Sequence, residues 1–527
     1  RCASAPPAPV DPQSPDDLTV PVPEAQRTDR AGRQFWIWAG ANIAPINWVL
    51  GALGITMGLS LADTMIVLVL GNLVGVVVFG LFTVIGRRTG LTSMVMARGV
   101  FGRRGAYVPA VVQMVVVIGW CAVNTWIVLD LVMALFGEIG LVDPRAANLG
   151  ARIGVGALIM AIQVAISFFG FRVISAFERW TVPPTLLVLF AMSVAAWGFM
   201  DIDWSYAGPA TGALSGSERL VAMSQVMTAI GIGWGLTWLT YAGDYSRFVS
   251  TRVPRRRLFL ISAAGQFIPV VWLGLLGASL ATRGGGADPG ALIVQNFGAL
   301  AVPVLLLVVH GPIATNILNI YSFSVTARSL DIAIPRRALS VMVGVLSLLA
   351  VIAFVFADGI AQTLDAWLSG VVGWTATWGA VVLVHHAILD RHSTDFSPLA
   401  DPASARTVAA WNPRAFLAFA AGIVMSWLFL QGMVPALQGP IATALGGLDL
   451  SWLAGGVTAG VLYCVLMRGR PLPMHSAGIA GGLRDGAAPG GAARGETARG
   501  SSDGGGADGS GASAAPAPLA PRTADEL

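Results

Sequence analysis

Gly231-Ile232-Gly233-Trp234-Gly235-Leu236-Thr237-Trp238 sets three alternate glycines in the middle of a long apolar segment. Glycine inside a helix costs roughly 1 kcal/mol relative to alanine, so the spacing predicts an interrupted helix here. A second stretch of this kind lies five apolar segments earlier: Phe35-Trp36-Ile37-Trp38-Ala39-Gly40-Ala41-Asn42-Ile43-Ala44-Pro45. Gly40, Asn42 and Pro45 all disfavour a continuous helix. Interrupted segments at corresponding places in two halves point to an inverted-repeat transporter and to its binding site. The glycines equally suit close helix packing, and the stretch taken alone leaves both readings open.

The surrounding composition is that of a membrane protein. Of 527 residues, 55% are hydrophobic and 11% charged, where soluble domains carry about 25% charged residues. Mean hydropathy is +0.71. Twelve apolar segments approach or exceed the roughly 20 residues that span a bilayer: 35–58, 63–86, 107–136, 149–171, 179–200, 219–243, 258–282, 297–327, 338–357, 363–388, 414–435 and 450–468. The basic residues are all arginine and they alternate. Arg87, Arg88, Arg98, Arg103 and Arg104 follow segment two, Arg172 and Arg179 segment four, and Arg247, Arg252, Arg255, Arg256 and Arg257 segment six. Arg328, Arg336 and Arg337 follow segment eight, Arg391, Arg406 and Arg414 segment ten, and Arg468 and Arg470 segment twelve. The other connections carry few: Arg145 and Arg283, with Arg219 at the start of segment six. By the positive-inside rule both termini face the cytoplasm.

Residues 1–33 and 471–527 are rich in Pro, Ala, Gly and Ser without apolar periodicity. They are expected to be disordered cytoplasmic tails around a twelve-helix domain at 34–470. No apolar run with a cleavage site opens the chain, so no signal peptide is expected. Cys2, Cys121 and Cys464 are too scattered for a disulfide framework or a metal cluster. The net charge of +4 is small and reports topology, not nucleic-acid binding. No phosphate loop, Cys/His cluster or nucleophile elbow is present, so the chain is not expected to be an enzyme, and no cofactor is expected beyond a coupling ion.

Three segments hold the polar residues that need partners at membrane depth. In segment eight, Thr315, Asn319, Ser322 and Thr326 recur at i, i+4, i+7 and i+11 on one helical face, with Asn316 at its flank. In segment three, Gln113, Trp120 and Asn124 share a face. An indole one turn from a carboxamide suits a flat heterocycle, stacked on the ring and hydrogen-bonded at its edge; a packing Trp beside a helix-bridging Asn is the plainer alternative. Segment six adds Trp234, Thr237, Trp238 and Tyr241 on one side, and either Trp suits a second wall. Thr315 with backbone carbonyls freed near Trp38–Asn42 would suit a small hard cation such as Na⁺. His310 leaves a proton-coupling and a structural role open. Asp244 is expected to pair with Arg247 at the interface. Asp130 and Asp365 are expected to be interfacial, and His385 and His386 carry little signal.

Four strings resemble the nucleobase–cation symporter-1 family, in its purine–cytosine permease branch. They are the segment-one stretch 35–42, Gly119-Trp120-Cys121-Ala122-Val123-Asn124, Asp244-Tyr245-Ser246-Arg247, and Ala314-Thr315-Asn316-Ile317-Leu318-Asn319-Ile320-Tyr321-Ser322. The resemblance runs from about residue 33 to 470. It implies an all-α integral membrane protein of twelve helices, ten of them in the five-plus-five inverted repeat of the leucine-transporter fold. It also implies a multi-pass cell-membrane importer of a nucleobase, hydantoin or allantoin, coupled to Na⁺ or H⁺ by alternating access. Carried over by match, the substrate residues are Asn42, Trp120, Asn124, Trp234, Thr237, Trp238, Asn316 and Asn319. The coupling-ion residues are Trp38, Ala41, Gly311, Thr315 and Asn316. Some Na⁺-coupled members place two neighbouring hydroxyls in the eighth helix, where this chain has Ala314 before Thr315. The rival reading is a same-fold transporter of an amino acid, vitamin or osmolyte.

Overall fold

The computed structural model describes residues 20–473 except 170, 211, 285, 287, 333, 357–359 and 401–407. Most of both expected tails, 1–19 and 474–527, lies outside the described residues. All twelve apolar segments form helix. Segment one is α1 (Ala31–Asn42) and α2 (Ile46–Thr56), segment two is α3 (Leu61–Thr89), and segment three is α4 (Tyr107–Glu138). Segments four and five are α5 (Leu149–Phe169) and α6 (Phe171–Phe199). Segment six comprises α7 (Gly216–Val226), a π-helical turn Met227–Ile232, α8 (Gly233–Thr237) and α9 (Leu239–Ser246). Segment seven is α10 (Arg255–Ala281). Helix α11 (Pro289–Phe297) precedes segment eight, which comprises α12 (Ala301–Val308) and α13 (His310–Arg328). Then follow α14 (Arg336–Val355), α15 (Ile360–Val384), α16 (Pro413–Leu428) and α17 (Ser451–Met467). Among the described residues, eight helical stretches are long and apolar enough to cross a bilayer, and four apolar helices are shorter. Strand is confined there to isolated bridges. The chain is an all-helical, multi-pass membrane protein.

Segment one breaks where its residues demand it. Pro45 has no N–H, so the carbonyl of Ala41 loses the donor a continuing helix would supply. The last α1 bond is Ile43 N to Ala39 O at 2.8 Å, and the helix restarts with Asn47 N to Ala44 O at 3.1 Å. The Asn42 carbonyl is capped instead by the Asn47 side chain. Segment eight is jointed by the same means: Pro312 withholds a donor from Val308, where α12 ends.

Segment six departs from expectation. It carries a π-turn and a tightened turn at Trp238, but its helical path runs on from Gly216 to Ser246. Its glycines are contact points. A β-carbon on Gly231 would sit 2.7 Å from the Gly71 Cα, and one on Gly235 would sit 2.6 Å from the Gly75 Cα. Two glycine pairs at i, i+4 thus face each other and let α3 and segment six touch backbone to backbone. Gly233 points the other way, towards Val372 of α15. Without a proline the backbone bonds of segment six need not be surrendered.

The helices pack in two groups. Helix α10 lies against α1, α2 and α3, and α3 lies against segment six. Helix α4 lies against α13 and α14, and α5 against α14. At the arginine-rich end, the buried Arg98 guanidinium donates to Leu399 O, Ser329 O and Asp331, tying three connections together. Burial pushes the Asp331 carboxyl up, but the Tyr107 hydrogen bond and the Arg98 and Arg103 charges hold it below its ordinary range.

The expected tail boundary at residue 33 moves. Val22 N donates to Gly90 O at 3.0 Å, and Asp29 N to Phe248 O at 3.1 Å. Arg27 donates to Val22 O and Arg87 O. Residues 22–30 are therefore bound to the ends of segments two and six by backbone bonds that composition does not announce.

Candidate functional site

The two helix groups meet at a buried cavity lined by Trp120, Asn124, Trp234, Thr237, Trp238, Tyr241, Thr315 and Asn319. Six of these are among the substrate residues expected from sequence, and Thr315 is from the ion set. They come from segments three, six and eight. Its volume is about 10 Å³, at the lower edge of what one water needs. The indoles fill it: Trp120 meets Trp234 edge to face at 5.3 Å, and Trp234 meets Trp238 at 6.4 Å. Trp38 closes the next layer against Trp238 at 5.8 Å.

The lining carries no charged side chain, and several of its polar atoms have no partner. The indole N–H groups of Trp120 and Trp238 and the Asn124 Oδ1 are buried and unpaired. A buried polar group left unpaired costs about 1–3 kcal/mol. Thr237 donates to Gly233 O at 2.7 Å and Thr315 to Gly311 O at 3.3 Å, so each hydroxyl oxygen can still accept. Two donors, an acceptor and two further hydroxyl oxygens surrounded by indole faces are what the edge of a neutral heterocycle can pair with.

Two expected substrate residues stand elsewhere. Asn42 is at the end of α1 with its carboxamide engaged. Its Nδ2 donates to Trp38 O at 2.8 Å, and its Oδ1 accepts from Trp234 Nε1 at 2.8 Å. It fixes the Trp234 indole from behind and does not line the cavity. Asn316 also stands outside the cavity lining. Its Nδ2 lies within bonding distance of Cys121 O (2.8 Å), Thr125 Oγ1 (3.0 Å) and Gln163 Oε1 (3.1 Å). Its Oδ1 accepts from Asn124 and Asn319. One residue from Thr315, it is rotated about 100° around the helix and clamps α13 to α4 and α5. In this structure its carboxamide is fully engaged by protein groups.

The remaining ion candidates surround the break in segment one. Gly311 sits against it: a β-carbon there would lie 3.2 Å from Pro45 Cδ and 3.4 Å from Ile43 O. Ala41 O is the carbonyl that Pro45 leaves without a helical donor. Trp38 O already accepts from Asn42, so Ala41 and Thr315 are the better-placed oxygens. The His310 side chain lies outside the described residues. Asp244 does not pair with Arg247 within 4.0 Å; it accepts from Ser93 N at 2.9 Å. Asp130 pairs with Arg152, and Asp365 accepts from Met433 N at 2.7 Å.

Sequence reading passed over Gln163, the amide partner of Asn316, and Trp367 of α15, which meets Trp120 edge to face at 6.1 Å. Gly119 marks the latter, since a β-carbon there would enter the Trp367 ring. His385, His386 and Asp390 form a buried cluster with ligand atoms within 4.8 Å. Arg88 Nη2 stands 3.4 Å from His386 Nδ1, a poor neighbour for a metal cation. A larger cavity of about 240 Å³ lies beside the Arg219–Asp63 ion pair and holds none of the expected substrate or ion residues.

An interrupted membrane helix beside a buried, uncharged, aromatic-walled cavity defines a membrane carrier for a small solute. The chain belongs to the family of permeases for cytosine/purines, uracil, thiamine and allantoin, whose model matches residues 21–455. It is thus a transporter and not an enzyme. A protein of Bacillus subtilis named as a purine-cytosine permease is 25% identical over 460 residues, covering 85% of this chain and 95% of that protein. The purine-cytosine permease FCY2 of Saccharomyces cerevisiae is 26% identical over 330 residues, 59% of each. The fold is similar to that of Mhp1, a nucleobase-cation-symport-1 family transporter solved in a closed conformation with bromovinylhydantoin bound. The TM-score is 0.66 at 17% identity, covering 87% of this chain and 95% of Mhp1.

Proposed function

We propose that this permease imports a nucleobase or related flat nitrogen heterocycle of the cytosine, purine, hydantoin or allantoin class, driven by Na⁺ or H⁺. The unpaired Trp120, Asn124 and Trp238 polar atoms around a charge-free, indole-walled cavity carry this reading. The base parts the indoles, stacks on Trp120 and either Trp234 or Trp238, and satisfies the orphaned groups with Asn124 and Asn319. Ala41 and Thr315 offer oxygens to a cation at the break, where Na⁺ would link α1 to α13.

The twelve apolar helical segments are read as twelve crossings of the cell membrane, ten of them as two inverted five-helix repeats. The grouping of segments one, two, six and seven apart from three, four, eight and nine supports that reading. Alternating access rocks the first group against the second. Residues 22–470 form the transport domain, and the arginine alternation sets both terminal tails in the cytoplasm.

Binding tests the substrate class. Titration of the purified permease with cytosine, adenine, hydantoin and allantoin is expected to quench tryptophan fluorescence with at least one of them. A zwitterionic amino acid and glycine betaine, lacking a planar ring, are expected to leave it unchanged. Response to the amino acid and to none of the bases would replace this reading with the amino-acid one.

A further inference from the structure

We propose that Asp244 carries a coupling proton and that its ionised carboxylate holds the arginine-rich end of the transporter closed. The inference deepens the transport reading and rests on it.

The geometry singles out this carboxylate. Asp244 is 5% exposed and lies three residues past Tyr241, which lines the cavity. Its Oδ1 accepts from Ser93 N at 2.9 Å. Ser93 begins the short helix Ser93–Met96 in the connection between segments two and three. The contact is reciprocal: Gly243 N donates to Ser93 Oγ at 2.9 Å, and Ser93 Oγ donates to Leu239 O at 3.4 Å. Asp63, Asp130 and Asp331 each have an arginine within 4.0 Å, and Asp244 has none. Holding an ionised carboxylate buried without a paired cation is costly, so such a group exchanges protons with its surroundings.

Its neighbours supply a route on one side and a latch on the other. The charged and titratable groups acting on it are Arg247 of its own segment and Tyr241. Tyr241 in turn faces Gln113 and Cys121 of α4. The helix Ser93–Met96 presents a backbone amide and a hydroxyl, and α3 approaches with Gly86. Asp365 and Asp449 are likewise buried without an arginine within 4.0 Å, but their carboxylates hold Met433 N and Gln431 N in the connection after α16. Neither lies within three residues of a cavity-lining residue, as Asp244 does beside Tyr241.

The proton balance is simple. A proton entering with the base, past Tyr241, bonds to the Asp244 carboxylate and removes its charge. A hydrogen bond to a charged acceptor is roughly twice as strong as one to a neutral acceptor, so protonation loosens the Ser93 cap. Segment six then parts from the connection that Arg98 anchors to Asp331. The proton leaves to water on the arginine-rich side, the carboxylate recovers its charge, and the cap re-forms.

The test uses the full chain in liposomes, with cytosine, adenine, hydantoin and allantoin as probes. A one-unit pH gradient, acid outside, supports about tenfold accumulation per coupled proton. The wild type is expected to reach that range. Asp244→Asn, which keeps an oxygen for Ser93 N–H, is expected to equilibrate its base near a ratio of about 1 while retaining counterflow exchange within about threefold. Accumulation by Asp244→Asn equal to wild type overturns the proposal. So does its loss of exchange along with accumulation in a variant that elutes as wild type. Wild-type accumulation driven by Na⁺ and indifferent to pH overturns it too, while leaving base transport intact. Transport of no base by the wild type under either gradient instead sinks the underlying reading. Should Asp244→Asn fail to fold, an indicator dye on the wild type decides: base binding takes up about one proton per base if the proposal holds, and none if it is wrong.

Discussion

Trp120→Ala is expected to raise the KM for base uptake roughly 5- to 150-fold while leaving the protein folded. The range follows from base–aromatic stacking worth about 1–3 kcal/mol, with 1.4 kcal/mol per tenfold. The ring is 4% exposed and meets both Trp234 and Trp367 edge to face, so the alanine variant also loses packing between segments three, six and ten. Trp120→Phe separates the two effects. It keeps an aromatic face without the unpaired N–H, and is expected to recover most of the affinity if stacking dominates. Radiolabelled base uptake over a concentration series reads both variants. An unchanged KM in Trp120→Ala would remove the stacking role, since the indole is the largest lining group from segment three.

The second large effect is structural. Gly235→Val is expected to lower the melting temperature sharply and deplete the protein from the membrane fraction. Overpacking a close-packed interior costs about 1–3 kcal/mol where side chains can adjust. Here the added β-carbon would stand 2.6 Å from the Gly75 Cα, and backbone cannot swing aside as a side chain does. Gly75→Val is expected to behave alike, because the same clash is met from α3. Gly40→Ala is the control, since a β-carbon there meets nothing within 4 Å. A normal melting temperature for Gly235→Val in detergent would show that the α3–segment six contact is not as close as described.

These two sites mark how far residue order alone carries. Segment lengths and arginine alternation yield the helices, because both follow from bilayer thickness and charge. The break in segment one is equally legible, because Pro45 removes a donor whatever surrounds it. The glycines of segment six are not, because a mid-membrane glycine serves a break or a contact, and the partner that decides lies 160 residues away in Gly71 and Gly75. The cavity lining was legible from helical spacing within segments three, six and eight. Asn316 was not: one helical step from Thr315 turns it onto Thr125 and Gln163, and periodicity cannot say which neighbouring helix waits there. Trp367 and the docking of residues 22–30 depend on tertiary proximity in the same way.

The central claim is that the Trp120–Asn124–Trp238 cavity passes a neutral heterocycle at the expense of a cation gradient. Uptake of radiolabelled cytosine, adenine, hydantoin and allantoin into liposomes holding the purified permease tests it most directly. Accumulation of at least one base above its external concentration, under an imposed Na⁺ or pH gradient and collapsing when that gradient is dissipated, is the predicted result. Accumulation of none of them under either gradient, by protein that elutes as a folded species, would contradict the account.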